Sequence, residues 1–233
     1  MKELYILLFL GVAMVLIFCT LSIGKIHKPL SKYAQRLLNV SIIAVLARAV
    51  TLIAVSEAYV SFGFSVFFST IDWMLLFLID FCFIYTNGKK SDVAYSILTG
   101  VVAFDSISIL ANNFTDNVFT CYPIITDSGE FYFRVNHGWY FNFHLTLCYS
   151  MLFFVAYELI KGIIHTGKLC RSKYIPILVC LVIIVVWNAV YMIFERKIDT
   201  SVLGYGVLGL VMNYFAIMHE PKDSSEDENK SIC

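Results

Sequence analysis

The sequence predicts an all-α polytopic membrane protein, a bundle of seven transmembrane helices with one extracytoplasmic β-hairpin loop. Three observations predict it. Seven apolar runs, each close to the ~20 residues that cross a hydrocarbon core, occupy most of the 233-residue chain. Hydrophobic residues make up 59% and charged residues 15%, with a mean hydropathy of +0.78, more apolar surface than a water-soluble domain of this length can hide. The runs are continuous rather than alternating over about 10 residues, which favours helices over barrel strands.

The first run, Leu4 to Gly24, exceeds the ~7–15 apolar residues of a signal peptide and no small-x-small cleavage site follows it, so it stands as a helix. The second, Ala34 to Ser56, carries Arg48 in its interior, and the third, Phe64 to Tyr85, carries Asp72 and Asp80. The fourth, Val93 to Asn113, holds Asp105. The long loop 114–138 follows. Its stretches Val118 to Thr126 and Phe131 to Val135 are β-prone, and Asp127, Ser128 and Gly129 supply turn chemistry between them, so a hairpin is expected. Such a loop can lid a cavity or simply be long. The fifth run, Trp139 to Ile160, opens on an interfacial aromatic pair and contains His144. The sixth, Tyr174 to Phe194, contains Trp187, Asn188 and Tyr191. In the seventh, Ser201 to Met218, Gly204, Gly206 and Gly209 have dinucleotide-site spacing. That motif needs a preceding strand, so close helix contact is the expectation. Residues 1–219 thus form one membrane domain. The acidic stretch 220–233 is expected to be a disordered cytoplasmic tail or linker.

The basic residues are lopsided. Lys25, Lys28, Lys32, Arg36, Lys89, Lys90, Lys161, Lys168, Arg171, Lys173, Lys222 and Lys230 fall on one side, against Lys2, Arg134, Arg196 and Lys197 on the other. The positive-inside rule then places the N-terminus outside and the C-terminus in the cytoplasm. A net charge of zero argues against nucleic acid. The cysteines give no disulfide framework, since Cys121 alone falls in the long loop.

Charge inside a bilayer costs at least about 2.5–3.5 kcal/mol per group and marks a cavity or a partner. Arg48, Asp72 and Asp105 each stand eight residues from the outer end of their spans, about 12 Å deep. His144, Asn188 and Tyr191 lie one or two turns below the same face. Together these six are the candidate ligand-binding residues, lining a cavity open to the outside. The competing reading is structural: Arg48 neutralises Asp72 or Asp105 in a pair that fixes packing. Asp80 either extends a polar track inward or bonds a neighbouring helix, and the latter is favoured. Trp73 and Trp187 lie beside polar candidates, with core or lipid-facing packing the simpler account.

Several classes fit poorly. Span seven has no lysine for a retinal Schiff base, no H-E-x-x-H motif occurs, and no nucleophile triad stands out. No catalytic residue, metal or cofactor is therefore assigned. A small secondary transporter or permease is the main alternative, weakened by the lack of a span broken at mid-membrane by Pro29, Pro123, Pro176 or Pro221. A scaffold whose polar groups only specify packing is a third.

The pattern from Gly138 onward is more specific. Gly138-Trp139 opens span five, with His144 and Tyr149 following. Next come the basic turn Arg171-Ser172-Lys173, then Trp187-Asn188-Ala189-Val190-Tyr191, Ile198-Asp199-Thr200, and the glycines at 204, 206 and 209. This layout resembles the N-terminal seven-transmembrane sensor region of bacterial histidine kinases and cyclic-di-GMP enzymes, with weaker motifs in the first four spans. The resemblance implies a non-enzymatic receiver in the cytoplasmic membrane, joined through span seven to a cytoplasmic kinase or cyclic-di-GMP enzyme. Only the acidic tail follows span seven, so the output domain is expected outside this chain, in frame or on a separate partner protein. The expected partners are the lipid bilayer, a small extracytoplasmic ligand and that output domain, with homodimerisation open.

Overall fold

The computed structural model describes residues 2–26, 28–86, 91–125, 129–165, 168–193 and 198–218. The chain runs α1 (Lys2–Gly24), α2 (Pro29–Ile53), α3 (Glu57–Tyr85), α4 (Asp92–Leu110), a single turn α5 (Asn112–Thr115), β1 (Phe119–Ile125), β2 (Phe131–His137), α6 (Phe141–His165), α7 (Lys168–Ile193) and α8 (Val202–Met218). Among the described residues six helices are long and apolar enough to cross a membrane, and α8, with 17 residues, is a shorter apolar helix. The acidic stretch 220–233 and the turn residues Asp127 and Ser128 lie outside the described residues.

Lipid as the solvent explains the burial pattern. Phe18, Phe104, Ile107 and Phe153 point outward, each more than 60% exposed, whereas Arg48, Asp72, Asp105 and His144 lie inside at 2% or less. A water-soluble helix has the opposite arrangement, a polar face out and an apolar stripe in. α3 is the central helix, packing against α2, α4 and α6. α6 leads to α7, α7 to α8, and α8 closes back onto α1 and α2. α4 lies outside this ring, packed along α3.

Small residues set the closest approaches. A Cβ on Gly63 of α3 would stand 2.8 Å from Thr51 Cγ2 of α2. On α8, a Cβ at Gly206 would meet Val12 of α1, at Gly209 Leu16 and Leu38, and at Gly204 Ile184 of α7. The α8 glycines are therefore helix-contact positions, as the apolar context predicts. α7 begins at Lys168, ahead of the span read from sequence, so Pro176 lies inside it. The helix continues past it.

At one end of the bundle the hairpin pairs antiparallel from Phe119↔His137 to Ile125↔Phe131. β2 extends two residues beyond the predicted Val135 while β1 lies within its predicted stretch, and Gly129 between them has φ +75°, a conformation glycine adopts without Cβ strain. Phe119, Val118 and Cys121 pack with Val60, Phe64, Ile109 and Phe141 into a second apolar cluster. Asn112, fully buried, ties the connection together: its Nδ2 donates to Phe119 O (2.8 Å), and its Oδ1 accepts from Val118 N (2.8 Å) and Phe119 N (3.2 Å). Lys2 Nζ donates to Phe131 O at 3.2 Å, so the start of α1 reaches the same hairpin. Asn112→Ala leaves three backbone groups without this partner. A loss of about 2–4 kcal/mol is expected on the ~1–3 kcal/mol cost of an unmet buried group, read as a lowered unfolding midpoint in detergent.

Candidate functional site

Three helices deliver the polar centre. Asp72 comes from α3, Asp105 from α4, and His144 with Cys148 from successive turns of α6. His144 Nδ1 lies 2.9 Å from Asp105 Oδ2 and 3.3 Å from Asp72 Oδ1. Cys148 Sγ lies 3.3 Å from Asp72 Oδ1. Both carboxylates are fully buried, and His144 is 2% exposed. The rings of Phe68 and Phe141 flank the imidazole, each with its centroid 5.6 Å away. One oxygen of each acid, Asp72 Oδ2 and Asp105 Oδ1, has no hydrogen-bond partner.

Arg48 is not part of that cluster, so the competing reading in which it neutralises Asp72 or Asp105 is not the arrangement found. Its guanidinium sits over the faces of Phe64 (4.7 Å to the centroid) and Phe67 (5.5 Å), and Nη1 donates to Thr51 Oγ1 at 3.0 Å. Nε has no hydrogen-bond partner. Aromatic faces attract a cation through their quadrupole, so two phenylalanines hold the charge that a carboxylate would hold in that reading. The acids pair with His144 instead.

Two cavities meet at Arg48. The outer one, about 410 Å³, lies between the hairpin and the ends of α2 and α3, with Lys2, Arg48, Arg134, His137 and Tyr191 among its walls. The inner one, about 100 Å³, runs into the ring of helices. It is mostly apolar, with His144, Cys148, Tyr149, Asn188, Tyr191 and Asp199 interspersed. Arg48, Phe64, Val135, His137 and Tyr191 border both. The hairpin therefore roofs a cavity, resolving the two readings of the long loop. His137 stacks on Phe141 with centroids 3.9 Å apart. Burial, with His144 nearby as the smaller cause, holds its imidazole below the ordinary range. At neutral pH it is uncharged, which leaves the positive charge of the outer cavity to Lys2, Arg48 and Arg134.

Of the six sequence candidates, Asp72, Asp105 and His144 converge in direct contact. Asn188 accepts from Tyr149 Oη at 3.3 Å on the inner-cavity wall. Tyr191 and Arg48 stand at the junction of the cavities. Asp80 accepts a hydrogen bond from Tyr95 of α4, the favoured of its two sequence readings. Trp73 packs against Phe77, and Trp187 is half exposed and donates to Thr200 Oγ1. Cys148 and Asp199 were missed. Cys148 stands four residues after His144, the spacing that aligns side chains on one helix face, and that signal was legible had the cysteines been read for more than disulfides. Asp199 accepts from Ser201 N at the start of α8 and lay between spans, where depth gave no warning.

Between α3, α4 and α6 a separate crevice of about 490 Å³ opens, lined chiefly by apolar side chains such as Phe83, Leu98, Leu147 and Phe154, with Tyr95 and Glu158.

In a comparison with known families, the model described as the N-terminal 7TM region of histidine kinase matches residues 6–220. No curated protein matches the chain.

Proposed function

The chain belongs to the family of N-terminal seven-transmembrane regions of histidine kinases, a membrane sensor region, and from that premise we propose that it receives a small anionic ligand on Arg48. The observation that carries this reading is the junction residue itself. A guanidinium 2% exposed, with Nε unpartnered, borders both the cationic outer cavity and the apolar inner one. A carboxylate or phosphate monoester fits the guanidinium fork. Its apolar portion would extend along Phe64, Leu75 and Leu181 into the inner cavity.

The basic-loop asymmetry supports a ligand arriving from outside and a C-terminus in the cytoplasm. Tyr205 and Leu208, with Ser201 just before the helix, place one face of α8 on the inner cavity. Another face of α8 packs through Gly206 and Gly209 on α1 and α2. A ligand that prefers one of two seatings of α8 would bias them by its difference in affinity, and a cytoplasmic output domain would read the seating. Catalysis belongs to that output domain. The transporter alternative needs a polar path through Asp80, whose carboxylate bonds Tyr95 and borders neither cavity.

The test is a thermal-shift screen of the purified chain against small organic carboxylates and phosphate monoesters. At least one raises Tm, and Arg48→Gln weakens that ligand about 10–100-fold, the worth of a hydrogen bond to a charged group. Asp80→Asn leaves the shift in place. A panel without a stabilising anion, or an equal shift in Arg48→Gln, overturns the reading.

A further inference from the structure

The buried acids have too few donors. His144 Nδ1 faces both Asp72 and Asp105, and Cys148 offers its weak S–H to Asp72. Asp72 Oδ2 and Asp105 Oδ1 keep no hydrogen-bond partner, and buried acids so thinly met carry a desolvation cost. A cation beside Asp72 Oδ1 would offset the negative charge that these two donors leave.

The spacing fits one. Ligand atoms of Asp72, His144 and Cys148 lie within 4.8 Å of one another. Tetrahedral zinc, with bonds of about 2.0 Å to N and O and 2.3 Å to S, separates its ligands by roughly 3.3 Å for N···O and 3.6 Å for pairs with sulfur. Here Nδ1···Oδ1 of Asp72 is 3.3 Å, Sγ···Oδ1 is 3.3 Å and Sγ···Nδ1 is 3.8 Å. Asp105 Oδ2 touches Nδ1 at 2.9 Å but stands outside this three-atom group, beside it. We propose that Asp72, His144 and Cys148 form a three-ligand site for a divalent transition-metal ion, Zn2+ in the first instance, with an exogenous fourth ligand. The mixed donor set selects this class. Ca2+ and Mg2+ take oxygen ligands, whereas imidazole and thiolate suit zinc and its neighbours. Phe68 and Phe141 supply the apolar outer shell that keeps water away. His144 and Cys148 border the inner cavity, which joins the outer one at Arg48, so an ion has a way in. Binding displaces the Cys148 thiol proton to solvent, while His144 binds as neutral imidazole through Nδ1 with its remaining proton on Nε2, an imidazolium giving up one further proton to solvent. The bound ion ties α3 to α6 and is independent of any anion on Arg48.

Cobalt(II) is the probe. The full chain in detergent, stripped with chelator and titrated with Co2+, takes up one ion per chain. The complex shows the intense visible absorption of a tetrahedral ion and a near-ultraviolet sulfur-to-cobalt charge-transfer band, and Zn2+ displaces the cobalt. Cys148→Ser removes the sulfur band, and Asp72→Asn weakens binding by at least about tenfold. Cobalt uptake without a sulfur band in the unaltered chain overturns the proposal even if the variants fail to fold. So does a sulfur band that survives Cys148→Ser, or affinity unchanged in Asp72→Asn. An anion screen without a hit leaves the cobalt result standing, so the two readings fail separately.

Discussion

His144→Leu destabilises the bundle by about 3–5 kcal/mol, the cost of removing one partner from a buried charged pair. The substitution nearly conserves volume, so the loss is electrostatic. Asp72 and Asp105, both fully buried, keep their carboxylates and lose the group that faces them at 3.3 Å and 2.9 Å. The control is the reverse experiment. His144→Leu combined with Asp72→Asn and Asp105→Asn removes the charge together with its partner, and it recovers most of the lost stability, because a neutral replacement of a whole buried network is often close to neutral in energy. Both are read as unfolding midpoints in detergent. A single variant within about 1 kcal/mol of the parent would mean that neither acid depends on the imidazole.

Gly138→Ala unseats the hairpin. A Cβ there would stand 2.2 Å from Asn117 O and 2.8 Å from Asn117 C, and neither is a flexible side-chain end that can swing aside. Gly138 N also donates to Val118 O at 2.7 Å, so the two backbones cannot simply separate without breaking that bond. The expected cost is roughly 1–3 kcal/mol of local strain, concentrated where β2 passes into α6. Amide exchange should report it as faster exchange across Phe119–Ile125 and Phe131–His137, with α1 and α2 unaffected. Unchanged exchange in the strands would contradict the close approach.

Much of this was legible beforehand because a bilayer makes the rules severe. Lipid demands long helices, so the existence of α1 to α4 and the ends of α1 and α3 follow from apolar run length, whereas α2 begins at Pro29 and α3 at Glu57, ahead of the runs read at Ala34 and Phe64. The expected common depth of Arg48, Asp72 and Asp105 rested on those run ends and the 1.5 Å rise of a helix. Partner choice did not follow. Run length says how deep a residue sits but not which way it points around the helix axis, so the nearest opposite charge looked like the natural mate for Arg48. The decisive groups were Phe64 and Phe67, which read as ordinary core positions in an apolar run. Asp105 found His144 across α4 and α6, two helices that the loop lengths alone do not make neighbours. Cys148 was hidden for a simpler reason: a thiol in a span resembles any small apolar side chain until its neighbours are known.

The crevice beside Phe83, Leu98 and Phe154 gives the surrounding membrane a part to play. An apolar slot of that size open to hydrocarbon fills with acyl chain rather than water, since nothing but tails is at hand to wet it. α4 leans on α3 and meets His144 of α6 through Asp105, so the three helices that wall this slot are the same three that close around the polar centre.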